Sequence, residues 1–292
     1  MASTPSDITH STARAYLLSV LFVVSFLPFA PAIFAQTLAI TFDDGFDATQ
    51  GNSQAVEDNA AILAALKQQK VRAMLFPAGV VADNAENMAL VRAWSQAGHL
   101  IGNHTYKHES LSQTDTALYF DDVLRAQNLL QVLPGWCPRL RFPYLDEGGD
   151  DKQRNLAYQW LAQHDYGVAA VTIALPDWDF ARHYLETLQS GSEHQAMTFR
   201  QDYLQQLWAQ AQTQEANWRK ELGRSPPHVL LLHANHLNAA ILPDLLQLLK
   251  ENGWHVIDPL TAFQDPIYQR HYVPNGTPKV DEPTLLPIPA CR

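Results

Sequence analysis

An α/β fold built on a mostly parallel sheet is the architecture this sequence predicts, and three observations predict it. Short apolar runs alternate with longer stretches of helical periodicity through most of the chain, the pattern of parallel strands joined by crossover helices. About seven such runs occur, which suits a barrel-like closure as well as an open doubly wound sheet. Chemically capable side chains recur where the runs end: Asp43 and Asp44 after the first, His104 and His108 after the third, Asp177 after the fifth and His233 after the sixth. In parallel α/β folds this is the edge where sites are built, because loops converge there on a rigid scaffold.

The elements follow in order. Leu38 to Phe42 reads as a buried strand delivering Asp43 and Asp44, and Gly45 lets the chain turn away. Asn52 to Gln69 has helical spacing, and Val71 to Phe76 is the next strand, stopped by Pro77. Asp83 or Asn84 caps a helix to Ala97, with Gly98 at its left-handed end. His99 to Gly102 is a short strand leading into Asn103 to His108. Thr114 caps a helix to about Val132, Leu140 to Leu145 is a strand carrying Arg141 and Tyr144, and Asp150 to His164 is helical. Val168 to Leu175 reads as a strand ending at Pro176-Asp177-Trp178-Asp179. A Gln-, Ala- and Leu-rich helix spans about Thr198 to Leu222, Val229 to Leu232 is a buried strand ending at His233, and Leu242 to Lys250 is helical. Trp254 to Ile257 is the last strand, and prolines without periodicity follow from Gln264.

The 292 residues are 47% hydrophobic and 17% charged, ample for one large domain with a real core. A net charge of -10 without any Lys/Arg-rich run argues against nucleic acid as a partner. Ala15 to Ala35 carries no charge, follows Arg14, and ends in a small residue before Gln36, the pattern of an export signal. A transmembrane anchor is the competing reading, since the stretch approaches the ~20 residues that span a bilayer. The expected layout is therefore an export segment at 1–35, a catalytic domain at 36–263 and an irregular Pro-rich tail at 264–292. The expected home is periplasmic or extracellular, with membrane contact only if the segment stays uncleaved. In such an oxidising place Cys137 and Cys291 can pair, the alternative being two free thiols.

His104 and His108 are four apart, which puts both rings on one face if the segment is helical. With Asp44 they make two histidines and a carboxylate, a ligand set for catalytic zinc with an open position, and one that suits non-haem iron too. Asp43 is then free to act as a base, and Arg141 either keeps it ionised or forms an ordinary structural ion pair. His233, after three leucines, is either a satisfied core histidine or a general acid held by Asp177 or Asp179. His236 is a decoy or a substrate contact, and Trp178 a core residue or a wall of the pocket.

Taken in order, Thr41-Phe42-Asp43-Asp44-Gly45, His104-Thr105-Tyr106-Lys107-His108, Arg141-Phe142-Pro143-Tyr144, Asp177-Trp178 and Leu231-Leu232-His233 resemble the motifs of the polysaccharide deacetylase (NodB-homology) family, a carbohydrate esterase type. The resemblance covers about Gln36 to Phe263. It implies a distorted, incomplete (β/α) barrel and a metal-dependent hydrolase that removes N-acetyl groups from a glycan by attack of a metal-bound water. The metal implied is a divalent ion, Zn2+ first, with no organic cofactor. By position, Asp43 matches the catalytic base, Asp44, His104 and His108 the metal ligands, and Arg141 the residue supporting the base. Tyr144 matches the position whose backbone N–H binds the oxyanion, His233 the acid, Asp177 the residue tuning it, and Trp178 and Leu231 the pocket wall. Phe46, where many members have proline, and Asn235 to Asn238, after the acid histidine, depart from the pattern and bear on substrate choice. The alternatives are an O-acetyl polysaccharide esterase, hydrolysis of formyl or cyclic amides on a small molecule and, from a different class, a non-catalytic glycan-binding protein on the same fold.

Overall fold

The structure, a computed structural model, describes residues 1–2, 36–272 and 284–292. Apart from its first two residues, the export segment read at 1–35 lies outside the described residues. Among these, no helix is long and apolar enough to cross a membrane.

Strand β1 (Thr37–Asp44) is buried from Leu38 to Asp43, as a central parallel strand must be. Helix α1 (Ser53–Gln68) begins where the Asn52 side chain accepts the Ala55 amide. Strand β2 (Met74–Pro77) leads through the single turn α2 (Gly79–Ala82) to α3 (Ala85–Gln96), capped by Asn84. Strand β3 (Leu100–Asn103) is followed by α4 (Thr116–Leu130), whose cap is Asp115 rather than Thr114: the Asp115 carboxylate takes the amides of Ala117 and Leu118.

Strand β4 is Trp136–Leu140, earlier than the sequence suggested. Arg141 lies just past it, and Tyr144 sits in a 3-10 turn from Pro143 to Leu145, where a left-handed backbone (φ 59°) ends any strand. Helix α5 (Asp151–Gln163) follows, capped by Asp150. Of the strand expected over Val168 to Leu175, only β5 (Gly167–Val168) is regular. The Ala169 amide still bonds the Leu140 carbonyl (2.8 Å), but Thr172 and Ile173 already bond Val229 (3.1 Å each). A segment spanning from one sheet edge to the other cannot keep register with both, so it stays irregular while curling the sheet.

Helix α6 (Asp177–Gln189) was not legible beforehand, and the long helix α7 starts earlier than expected (Glu193–Leu222). Strand β6 (His228–His233) runs into α8 (His236–Glu251), capped by Asn235 and continuing through Pro243, which had masked its first turns. Strand β7 (His255–Val256) and α9 (Pro259–Ala262) complete the alternation. The sheet order is β5-β4-β3-β2-β1-β6, all parallel, with β7 pairing the start of β1. It is a single domain with a curled half-barrel sheet, a distorted (β/α) barrel. Leu38, Ile40, Phe42, Met74, Phe76 and Leu230 fill it, each contributing about 1.5–3 kcal/mol on full burial.

The tail is less irregular than its prolines suggested. Strands β8 (His271–Tyr272) and β9 (Thr284–Leu285) pair antiparallel, and Leu286 is buried. Cys291 forms a disulfide with Cys137 of β4, and Arg292 exchanges backbone hydrogen bonds with Gly135 (3.0 Å) and Trp136 (2.9 Å).

Candidate active site

At the C-terminal edge of the sheet, a cavity of about 580 Å³ gathers Asp43, Asp44, His104, His108, Trp178 and His233. Tyr144 and Leu231 also line it, whereas Arg141 and Asp177 stand behind it, fully buried. Phe142, Leu145, Ala174, Leu175 and Pro176 complete the lining. These apolar residues gave no sequence signal, since apolar residues at strand ends look like core.

Asp43 and Asp44 end β1, and both reach the cavity. Asp44 is left-handed (φ 72°), as is Gly45 (φ 88°), so the backbone folds sharply away and leaves the Asp44 carboxylate at the cavity. A non-glycine residue there costs energy that its surroundings must offset. His104 and His108 do not lie on a helix, so the helical explanation of their spacing fails. Their loop turns through left-handed Thr105 and His108 (φ 60° each), which brings the rings together edge to face at 4.7 Å. Two residues that sequence reading missed hold that loop. Asn103 accepts the Thr105 amide (2.8 Å), and Asp122 of α4 accepts the amides of Tyr106 (2.9 Å) and Lys107 (2.7 Å).

His104 donates from Nδ1 to the Arg141 carbonyl (2.7 Å), which leaves Nε2 as an acceptor at the cavity, 3.2 Å from His108 Nε2. His104 Nε2 lies 3.5 Å from Asp44 Oδ1, and His108 Nε2 lies 3.3 Å from the same oxygen. Asp44 Oδ1 is buried with no hydrogen-bond partner. Ligand atoms of the three residues lie within 4.8 Å of one another, so the set can hold a metal ion. A buried carboxylate oxygen without a hydrogen bond, beside two imidazole nitrogens, is a donor set of the kind a cation takes. Burial alone would raise the Asp44 carboxyl, but the contact and charge of His104, with His233 and His108 beyond, lower it to about 2. Burial, and then the charge of His104, push the His108 pKa down. Both shifts favour the protonation states that ligands need.

Asp43 is turned inward. Arg141 Nη1 lies 3.3 Å from its Oδ2, while Arg141 Nη2 donates to Thr41 (3.0 Å) and Nε to the Ala169 carbonyl (2.6 Å). Its remaining oxygen, Oδ1, is buried with no partner. Across the cavity His233 ends β6. Its Nδ1 faces Asp177 Oδ1 at 2.5 Å, and its backbone N–H donates to Asp177 Oδ2 at 2.7 Å. Asp179 is not the partner; it pairs with exposed Arg182 at 2.7 Å. Burial would lower the His233 pKa, but the hydrogen bond and charge of Asp177, with Asp43 and Asp44 adding, raise it to about 9. Its Nε2 therefore carries a proton at the cavity, 4.0 Å from Asp44 Oδ2.

Tyr144 and Trp178 are 72% and 61% exposed, an unusual state for aromatics unless something else covers them. The Tyr144 ring meets His108 edge-on at 4.8 Å. Two sequence-singled residues lie elsewhere: Phe46 is buried in the core, and His236 bonds Asp58 (2.8 Å) and stacks on Tyr184.

Fold and site define a class: a curled parallel sheet with a carboxylate–histidine centre on one side of a cleft and a histidine–aspartate pair on the other. Residues 34–160 match the model of the family "Polysaccharide deacetylase". This stretch holds Asp43, Asp44, His104, His108, Arg141 and Tyr144 and stops short of Asp177 and His233. A peptidoglycan-N-acetylglucosamine deacetylase from Bacillus cereus is 30% identical over 142 residues, 48% of this chain and 46% of that one. A chitooligosaccharide deacetylase from a Bradyrhizobium species is 31% identical over 157 residues, 53% of this chain and 64% of that one. The chain thus matches less than two thirds of the length of either relative. A crystal structure of a peptidoglycan N-acetylglucosamine deacetylase superposes with a TM-score of 0.53, at 23% identity, over 80% of this chain and 90% of that one. That likeness concerns the fold.

Proposed function

We propose that the protein is an exported, metal-dependent deacetylase that removes N-acetyl groups from an N-acetylglucosamine-containing glycan. One observation carries the reading most: three ligand-type atoms converge in the cavity that also presents a carboxylate held by arginine and a histidine held by aspartate. The named relatives act on peptidoglycan and chitooligosaccharide, which supports a polymer or oligomer of N-acetylated sugar as substrate.

Asp44, His104 and His108 would hold the divalent ion, Zn2+ being the first candidate. When bound, such an ion polarises an acyl oxygen and makes water a stronger nucleophile near neutral pH. The chain's own residues do the rest. Asp43 takes a proton from the attacking water while Arg141, behind it, orients the carboxylate. The water oxygen bonds the acetyl carbon, and the Tyr144 backbone N–H donates to the oxygen that becomes negative. His233 gives its Nε2 proton to the sugar nitrogen as the C–N bond breaks, releasing acetate and a free amine, while Asp177 stabilises the imidazolium until then. Trp178, Tyr144 and Leu231 offer apolar surface to a sugar ring.

The test is acetate release from N-acetylglucosamine oligomers and from peptidoglycan. Release that a chelator abolishes and Zn2+ restores is the expected result. No release from either substrate with the metal-loaded protein overturns the proposal.

A further inference from the structure

Behind the histidine–aspartate pair lies a third, wholly buried side chain. Asn238, on the first turn of α8, donates from Nδ2 to Asp177 Oδ2 and to the His233 carbonyl (2.9 Å). Its Oδ1 accepts the hydroxyl of Tyr203, which is buried on α7 (3.3 Å). Its own backbone N–H is held by the Asn235 side chain (2.9 Å). The amide has one orientation available, because a flip would turn its oxygen toward two acceptors, the Asp177 carboxylate and the His233 carbonyl. Asp177 therefore has both oxygens committed: Oδ1 to the imidazole, and Oδ2 shared between the His233 amide and Asn238. Without Asn238 a buried carboxylate would keep only bonds from the residue it is meant to orient.

We propose that Asn238, braced by Tyr203, is a positioning residue that fixes the Asp177 carboxylate and so aims His233 at the leaving group. The proposal rests on the deacetylase reading for its kinetic consequence, though the geometry stands without it. It also gives α7 a role: the long helix between Asp177 and β6 supplies the brace. The departure from the family pattern after His233 becomes a helix cap at Asn235 and a clamp at Asn238.

The experiment compares wild type, Asn238→Ala and Tyr203→Phe as folded, Zn2+-loaded proteins on an N-acetylglucosamine oligomer and on an aryl acetate. An aryl oxide leaves without a proton, so only the amide depends on an aimed acid. For Asn238→Ala the ratio of amide to aryl-acetate turnover is expected to fall about 10–100-fold, the usual cost of losing an outer-shell partner. KM for the oligomer is expected to hold, and Tyr203→Phe, which preserves volume, to move the ratio the same way by a smaller factor. In parallel, the downfield proton resonance of the His233 Nδ1–H···Asp177 bond should be present in wild type and lost or shifted upfield in Asn238→Ala. Equal losses on both substrates, or an unchanged resonance, overturn the proposal. A wild type inactive on both substrates overturns the deacetylase reading instead, and the resonance still decides the role of Asn238.

Discussion

The two walls of the cleft are built by opposite means. The wall carrying Asp44, His104 and His108 is made of loop backbone in left-handed conformations at Asp44, Thr105, His108, Tyr144 and Leu145. The wall carrying His233 and Asp177 rests on a strand end, helix starts and a buried amide, all regular. Strain of order 1–3 kcal/mol per residue persists only where surroundings over-determine it. On the first wall the surroundings are Asn103, Asp122 and Arg141, each bonding the loop or its histidine. The difference teaches that a cluster able to hold a cation can be gathered from a strand end and a strained loop, whereas the histidine–aspartate pair opposite rests on regular elements and a buried partner.

The comparison can be broken most decisively on the loop wall. His104→Ala should release the metal and reduce acetate production to background; retained metal by elemental analysis with retained turnover would dissolve the triad. Asp43→Asn should keep the metal yet lose about 10²–10⁴ in kcat, the range for a general base. Loss of metal content in that variant would merge the two aspartate roles.

The regular wall is probed by pH. If His233 is the acid, as proposed, it acts protonated, so kcat should fall as pH rises through about 9. In Asp177→Asn that limb should move down toward the ordinary histidine value near 6.5, which a pH–rate profile reads directly. The sign for stability is the same. The pair's stabilising contribution is full below the unfolded pKa and is lost as pH rises through the folded one.

The smallest effect on catalysis is expected far from both walls. Cys137→Ser together with Cys291→Ser should lower stability by about 2–5 kcal/mol, read as a drop in Tm, with kcat nearly unchanged.

The sequence made the strand ends legible, because polar residues after apolar runs have few structural explanations. Asp43, Asp44, His104, His108 and His233 were found that way, and the structure brings them to one cavity. What it hid was backbone-dependent. Nothing in His104-x-x-x-His108 distinguishes a helix face from a loop with two left-handed turns. The segment after Val168 is apolar and β-branched, so it reads as a strand, yet its hydrogen bonds are divided between two edges. Helix α6 begins at Asp177, a residue read only for its chemistry. Asn238 was singled out as a departure; its contact with Asp177 arises from helix phase.

The pairing of β1 with β6 carries one more consequence. The hydrogen bond from Thr41 Oγ1 to the Leu230 carbonyl joins residues 189 apart in sequence, whereas strands β1 to β3, which lead into Asp44, His104 and His108, are near neighbours along the chain. Contacts between distant segments bear the larger loop-closure cost and tend to form later. On the proposed function, metal uptake during refolding should therefore run ahead of acetate release, and the interval between them would measure how long the Asp177–His233 pair takes to reach the Asp44, His104 and His108 cluster.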